Sequence, residues 1–500
     1  MDLSVIYSRA VAGIEAPLVR VETHLSNGLP AFHMVGMPET AVRESKDRVR
    51  SALLNSYFEF PDRRITINLS PADLPKEGGR FDLPIALGIL AASGQLPPDL
   101  LSDHEFLGEL ALDGTLRPIP GVIPAAGAAT GEKRKLVVPA SCAQLAAYTP
   151  NSTIIPAQDL LTLCAHLNGS QPIVPAQRTT KCNTREEYPD LDVVIGQESA
   201  RRALEIAAAG NHHLLFFGPP GTGKTLLASR LPGILPAPSE EDALTGLALR
   251  SFYDGTDTSS YFNRPFRNPH HNATPAALIG GGSKPRPGEV SLAHGGVLFL
   301  DELPEFSRAT LEVLREPMEA GNVTISRANH KTSFPARFQL IAAMNPCQCG
   351  FDGDPDRPCR CTPGQIQRYR QRISGPLLDR LDLSVAMTRV SASTLLDNTM
   401  KAEGSAAVRA RVIRASERQI SRQGCANGHL SGKTLTQVCQ LGRGERQLLA
   451  SAMDTLKLSA RAMDRTLKVA RTIADLGGEA TLSSAHISEA LSYRNPEFKL

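Results

Sequence analysis

The stretch HHLLFFGPPGTGKT, residues 212–225, constrains this chain more than any other. An apolar run of strand length feeds directly into a glycine-rich loop, and a helix-compatible TLLASRL follows. Gly218, Gly223, Lys224 and Thr225 satisfy G-x-x-x-x-G-K-[ST] in the strand, loop and helix setting that the pattern needs. Gly218, Pro219, Pro220, Gly221, Thr222 and Gly223 are the candidate cradle, in which the glycines let backbone N–H groups of the non-proline positions curl around phosphate oxygens. Lys224 adds charge for the β- and γ-phosphates, and the Thr225 hydroxyl is placed to ligate Mg2+. Two later runs, GGVLFLDE and FQLIAAMN, repeat the buried-strand pattern, and this rhythm predicts a parallel α/β sheet.

Five hundred residues with 41% apolar content exceed what one core usually organises, so several domains are expected. Residues 1–168 alternate short β-like runs (LVRVETHL, RITINLS, KLVVP) with helical stretches (TAVRESKDRVRSALLNS, DLPIALGILAASG), an α+β domain. Residues 169–190 are polar, contain proline and have no periodicity, which reads as a linker. The α/β core follows over 191–390, and residues 391–500 read as a helical domain. The fold class is thus α/β multidomain.

The net charge of +3 demands no polyanionic partner, but the last hundred residues hold 16 Lys+Arg against 9 Asp+Glu and could face an anion. No basic segment leads into an apolar core at the N-terminus, and no run reaches the roughly 18 apolar residues of a membrane helix. A cytoplasmic location with no membrane partner is therefore expected. Nine cysteines, four of them crowded into fifteen positions, do not form the pattern of a secreted disulfide framework.

The phosphate loop needs a carboxylate at the end of a neighbouring strand. GGVLFLDELPEF supplies Asp301 for hydrated Mg2+ and Glu302 for the attacking water, with an ordinary solvated strand end as the alternative. Taken in order, GPPGTGKT, LFLDE and AAMNP resemble the phosphate loop, acidic strand end and sensor-1 strand of AAA+ ATPases. That resemblance implies that Asn345 touches the γ-phosphate or the attacking water; the alternative is a turn cap. It also implies arginines opposite the γ-phosphate. Arg380 in SGPLLDRLDL falls where a finger reaching into the neighbouring subunit is kept, and Arg461 in SARAMDR where a sensor-2 arginine begins a lid helix. Either could be an ordinary surface arginine.

GNVTISRANHKTSFP alternates as a β-hairpin, with Arg327, His330 and Lys331 near its tip. A hairpin before the sensor-1 strand, with a helix-2 insert ahead of the acidic strand, resembles the AAA+ branch whose hairpins point into a central pore. The three tip residues are then DNA-contact candidates, against the plainer reading of a solvated charged turn. RPFRNPHH, GEVSLAHGGVLFLDELPEF, AAMNPCQCG, RYRQRISGPLLDRLDL and SARAMDRTLKVARTIADL together resemble the Mg-chelatase-like AAA+ family over essentially the full length. The resemblance implies a homohexameric, ATP- and Mg2+-dependent branch-migration helicase. It would act on single-stranded or branched DNA in natural transformation, with recombination proteins as partners. The rival is the motor subunit of a metal-chelatase-like complex working on a protein partner.

LPKEGGRFDLPIAL and GELALDGTLRPIPGV resemble the Lon-type fold, but the catalytic Ser falls at Arg80 and the Lys at Ile123. Neither can serve in that dyad, so the domain reads as a DNA guide, a ring-forming platform or a scaffold. Finally, Cys347, Cys349, Cys359 and Cys361 form C-x-C-x9-C-x-C just after Asn345. They are candidates for a structural Zn2+, with reduced thiols or a disulfide as alternatives, while His270 and His271 are set aside as ligands.

Overall fold

A computed structural model describes residues 2–36, 42, 44–74, 76–178, 188–253, 261–282, 285–327, 330–391, 393–394 and 402–494, without the side chains of 327, 330 and 331. Part of the expected 169–190 linker lies outside the described residues. The chain forms two compact units. The first takes in Met1–Thr184, Ala243–Tyr261 and Ser326–Phe334; the second holds Arg185–Asp242, Phe262–Ile325 and Pro335–Leu500.

In the first unit a seven-stranded sheet is built from β1 (Leu3–Arg9), β2 (Leu18–Ser26), β3 (Ala31–Val35), β4 (Arg64–Ser70), β5 (His104–Phe106), β6 (Lys135–Pro139) and β7 (Ile154–Ala157), in the order β3-β4-β2-β1-β5-β6-β7. Pairing is antiparallel around β2 and parallel elsewhere. Strict alternation along β2 sends Val19, Val21, Thr23 and Leu25 inward, the period-2 signal that marks a half-buried strand. Of the helices α1 (Ser45–Asn55), α2 (Asp82–Ala92) and α3 (Val122–Gly131), α2 is buried at every residue, as its nearly uninterrupted apolar sequence requires. Arg9 and Glu105 form a buried ion pair at 2.7 Å between neighbouring strands. The two later segments belong here by their own packing. Tyr261 lies 4.4 Å from Tyr148 between ring centroids, and Phe252 meets Phe334 edge-on at 6.3 Å.

The second unit contains β8 (Leu214–Phe217), β9 (Phe266–Arg267), β10 (Val297–Leu300), most of β11 (Asn322–Arg327), β13 (Gln339–Met344) and β14 (Leu383–Ala386), while β12 (His330–Pro335) falls almost wholly within the Ser326–Phe334 segment of the first. Five of these make a wholly parallel sheet in the order β9-β10-β13-β8-β14. Continuous burial of β8, β10 and β13 is what a parallel strand covered on both faces needs. β11 and β12 pair only with each other, forming the expected hairpin. Its helices include α4 (Glu198–Gly210), α5 (Lys224–Ala228), α6 (Ser405–Gln423), α7 (Arg443–Leu456), α8 (Ala460–Gly477) and α9 (Ser484–Ser492). The C-terminal helices share one apolar core with the sheet: Val412, Ile473 and Ile487 cluster with Leu214, Phe216 and Ile206. Among the described residues, no helix is long and apolar enough to cross a membrane.

Candidate functional site

The phosphate loop leaves the carboxyl end of β8 and closes into α5 at Lys224, with Gly223 at φ +88°, a left-handed turn that favours glycine. Strand order decides what gathers there. Because β13 lies between β8 and β10, Asn345 at the end of β13 stands between the loop and the acids that follow β10. Lys224 Nζ donates to the carbonyls of Gly218 (2.7 Å) and Pro219 (2.9 Å) and to Asn345 Oδ1 (3.0 Å). Burial pulls this ammonium down to about 8, against the opposing attraction of Asp301 and Glu302. Thr225 donates its hydroxyl to Asp301 Oδ2 at 2.6 Å, so two oxygen donors already meet where a hard cation such as Mg2+ fits.

Asp301 Oδ1 accepts the backbone N–H of Glu302 at 2.9 Å. Glu302 itself sits at φ +52°, a strained conformation for a residue with a Cβ, and its side chain is half exposed. Its Oε2 is 3.4 Å from Nδ1 of His271. His271 is a site residue that sequence reasoning missed: it was weighed only as a metal ligand, and nothing in its spacing points to Glu302. Gln197 was missed as well. Its amide donates to the loop carbonyl of Thr222 (3.2 Å) and to that of Thr388 (2.5 Å), fastening the loop from the side of α4.

Lys224, Thr225, Asp301, Glu302 and Asn345 are thus brought together, and the two arginines are not. Arg380 precedes β14, at the amino edge of a parallel sheet whose carboxyl edge holds the phosphate loop. It is paired with Glu319 and donates to the Pro376 carbonyl at 2.7 Å. It lines a cavity of about 430 Å³ with Arg465, Lys468, His429, Arg337 and Asp382. Arg461 lies exposed in the first turn of α8 and takes no part in the hydrogen bonds around Lys224. One turn on, Arg465 faces the cavity instead, 3.8 Å from Asp382. The side chains of Arg327, His330 and Lys331 lie outside the described residues.

The four crowded cysteines converge: their Sγ atoms all lie within 4.8 Å of one another. Cys349 is held below the ordinary thiol range, at about 6, by the backbone N–H of Arg360 and then that of Phe351, which outweigh its desolvation. In the first unit, Arg80, where the Lon-type resemblance would put the catalytic Ser, donates to the carbonyls of Pro120 (2.7 Å) and Arg9 (3.5 Å). Ile123 is buried in α3.

Comparison with known proteins accounts for most of the chain. The family described as "Magnesium chelatase, subunit ChlI" matches residues 190–395, "Subunit ChlI of Mg-chelatase" matches 21–142, and "Magnesium chelatase, subunit ChlI C-terminal" matches 402–494. Competence protein ComM of Haemophilus influenzae is 49% identical over 500 residues, covering 99% of this chain and 98% of that one. Uncharacterized protein YifB of Escherichia coli is 48% identical, covering 99% and 97%. Lon protease 2 of Bacillus subtilis is 28% identical over 173 residues, 30% of this chain and 31% of that protein.

Proposed function

This chain belongs to the Mg-chelatase-like family of AAA+ proteins, and from that premise we propose that it is an ATP-driven DNA motor. It hydrolyses ATP with Mg2+ in a ring of six like subunits and couples the hydrolysis to branch migration of DNA in natural transformation. The observation that carries the ATPase reading is the contact group of Lys224, Thr225, Asp301 and Asn345 at adjacent ends of parallel strands. Within a subunit, Lys224 and the loop amides hold the β- and γ-phosphates, while Thr225 and Asp301 supply oxygens to Mg2+. Glu302 orients the attacking water, Asn345 bridges to the γ-phosphate, and His271 steadies the Glu302 carboxylate.

Arg380 acts on the neighbouring subunit's nucleotide. Its position at the far edge of the sheet from its own phosphate loop supports this role. The test is complementation: chains carrying Arg380→Ala and chains carrying Lys224→Ala, each inactive alone, regain hydrolysis when mixed, because some interfaces then combine an intact Lys224 with an intact Arg380. Failure of mixed rings to regain activity would remove the cross-subunit role.

The DNA reading rests on near full-length similarity to a protein named for competence. The four-cysteine cluster carries a structural Zn2+ in this scheme, and the Lon-like unit serves as a platform rather than a protease. Turnover by the purified chain, measured alone and with single-stranded, duplex and four-way-junction DNA, tests the whole. DNA-stimulated turnover with ATP-dependent displacement of a labelled junction arm is expected. An active ATPase indifferent to every DNA would favour the second reading, a chelatase-like motor acting on a protein partner, which the names of the matching families support.

A further inference from the structure

Four thiols meet where nucleotide hydrolysis has no use for them. Among Cys347, Cys349 and Cys359 the sulfur separations are 3.3, 3.6 and 3.5 Å, and Cys361 completes a set within 4.8 Å. Zn–S bonds of about 2.3 Å set the edge of a tetrahedron at about 3.8 Å, so one ion fits at the centre. A disulfide, with sulfurs about 2 Å apart, matches none of these separations. An iron–sulfur cluster interposes its own atoms and spreads its thiolates more widely. The surroundings also suit bound thiolate: the Cys361 N–H points at Cys359 Sγ at 3.4 Å.

From residue 345 to residue 362 the chain has no helix or strand, and most of the stretch after Gly350 is exposed or half-buried. Packing alone supplies little to order such a loop, and a metal staple supplies what is missing. The loop touches the nucleotide site in two places. Gly350, next to Cys349, has φ +86° and donates its N–H to the Cys347 carbonyl at 3.0 Å. A Cβ at Gly350 would stand 2.8 Å from Cδ and 3.2 Å from Cγ of Pro220, inside the phosphate loop. Arg370, beyond the cluster, donates to the Pro346 carbonyl (3.1 Å) and to Asp352 (2.8 Å), and its guanidinium lies 5.9 Å from the centroid of Phe217, the last residue of β8.

We infer that Cys347, Cys349, Cys359 and Cys361 bind one Zn2+, and that the loop it closes buttresses the phosphate loop, so that nucleotide affinity depends on the metal. The inference rests on the ATP-binding reading above. Its test uses the full chain, metal analysis and a fluorescent ATP analogue. About one zinc per chain is expected. Removing it with a thiol reagent and a chelator lowers nucleotide affinity about tenfold, and added Zn2+ with reductant restores it. Cysteine replacement risks unfolding, so Gly350→Ala is the sharper probe. It should keep its zinc and lose about tenfold in affinity, because a methyl placed at φ +86° against Pro220 makes the cysteine loop and the phosphate loop shift apart. Zinc-loaded protein whose affinity ignores both stripping and Gly350→Ala overturns the buttress and leaves the ATPase reading standing. Protein isolated without zinc, or with iron in its place, overturns the metal assignment. Zinc-loaded wild-type protein that binds no nucleotide removes both readings.

Discussion

Arg80 in the first unit and Lys224 in the second are both buried cations whose nearest partners include backbone carbonyls. Arg80 is 5% exposed and Lys224 8%. Burial lowers each from its ordinary value, Arg80 to about 10 and Lys224 to about 8. Their surroundings then diverge. Arg80 ties its own segment to the carbonyls of Pro120 and Arg9, a permanent internal brace. Lys224 rests on two loop carbonyls and an Asn345 oxygen, beside the pair formed by Thr225 and Asp301. A buried charge therefore does not by itself mark a site. Exchangeable partners and nearby oxygen donors for a metal do, and only the second unit offers them around its cation.

The contrast breaks most visibly at Glu302. Glu302→Gln should lower the turnover rate by about 10² to 10³, because it removes the group that orients water, while nucleotide binding persists. Lys224→Ala should lose binding as well. Single-turnover hydrolysis together with nucleotide binding separates the two, and full hydrolysis by Glu302→Gln would move the water-orienting role to another residue.

Arg80→Ala should act on the other side of the comparison. It leaves the Pro120 and Arg9 carbonyls without their donor and a cavity where the buried side chain lay, costing about 3 kcal/mol of stability. ATP turnover per folded molecule should stay near wild type. Denaturant unfolding of the variant measures the first effect and hydrolysis the second. An Arg80→Ala protein as stable as wild type would deny the brace, and one that folds but binds no nucleotide would give Arg80 a role beyond its unit.

The gathering of Lys224, Thr225, Asp301 and Asn345 was legible because each lies at or just after the end of an apolar run, and parallel strands bring their carboxyl ends to one edge. The hairpin and helices α6, α7, α8 and α9 were legible from local periodicity. The Glu302–His271 contact was not legible, since it joins segments 31 positions apart with no shared pattern. Arg461 and Arg465 show a finer limit. They are four residues apart on one helix and alike in sequence, and only the packing of α8 decides that Arg465 meets Asp382 while Arg461 stays exposed. The convergence of two cysteine pairs ten residues apart likewise depends on turns that spacing alone leaves open.

The smallest expected effect is a pH slope, and its sign separates the two cations once more. Free Lys224 loses its proton near pH 8, whereas phosphate oxygens beside it favour the charged form and raise that value. Binding then takes up a proton. Affinity for the nucleotide should be flat below about pH 8 and fall above it by at most about tenfold per unit. Folding runs the other way: the unfolded lysine keeps its proton up to 10.5 and the folded one only to about 8, so between these values the unfolded chain binds more protons and the Lys224 contribution to stability rises with pH. Arg80, lowered only to about 10, stays charged through the lower part of this window and adds no slope there. Nucleotide titrations from pH 7 to 9 should show the fall in wild type and lose it in Lys224→Arg, whose guanidinium stays protonated throughout. A slope that survives Lys224→Arg would assign the proton to another group and make the second cation as inert as the first.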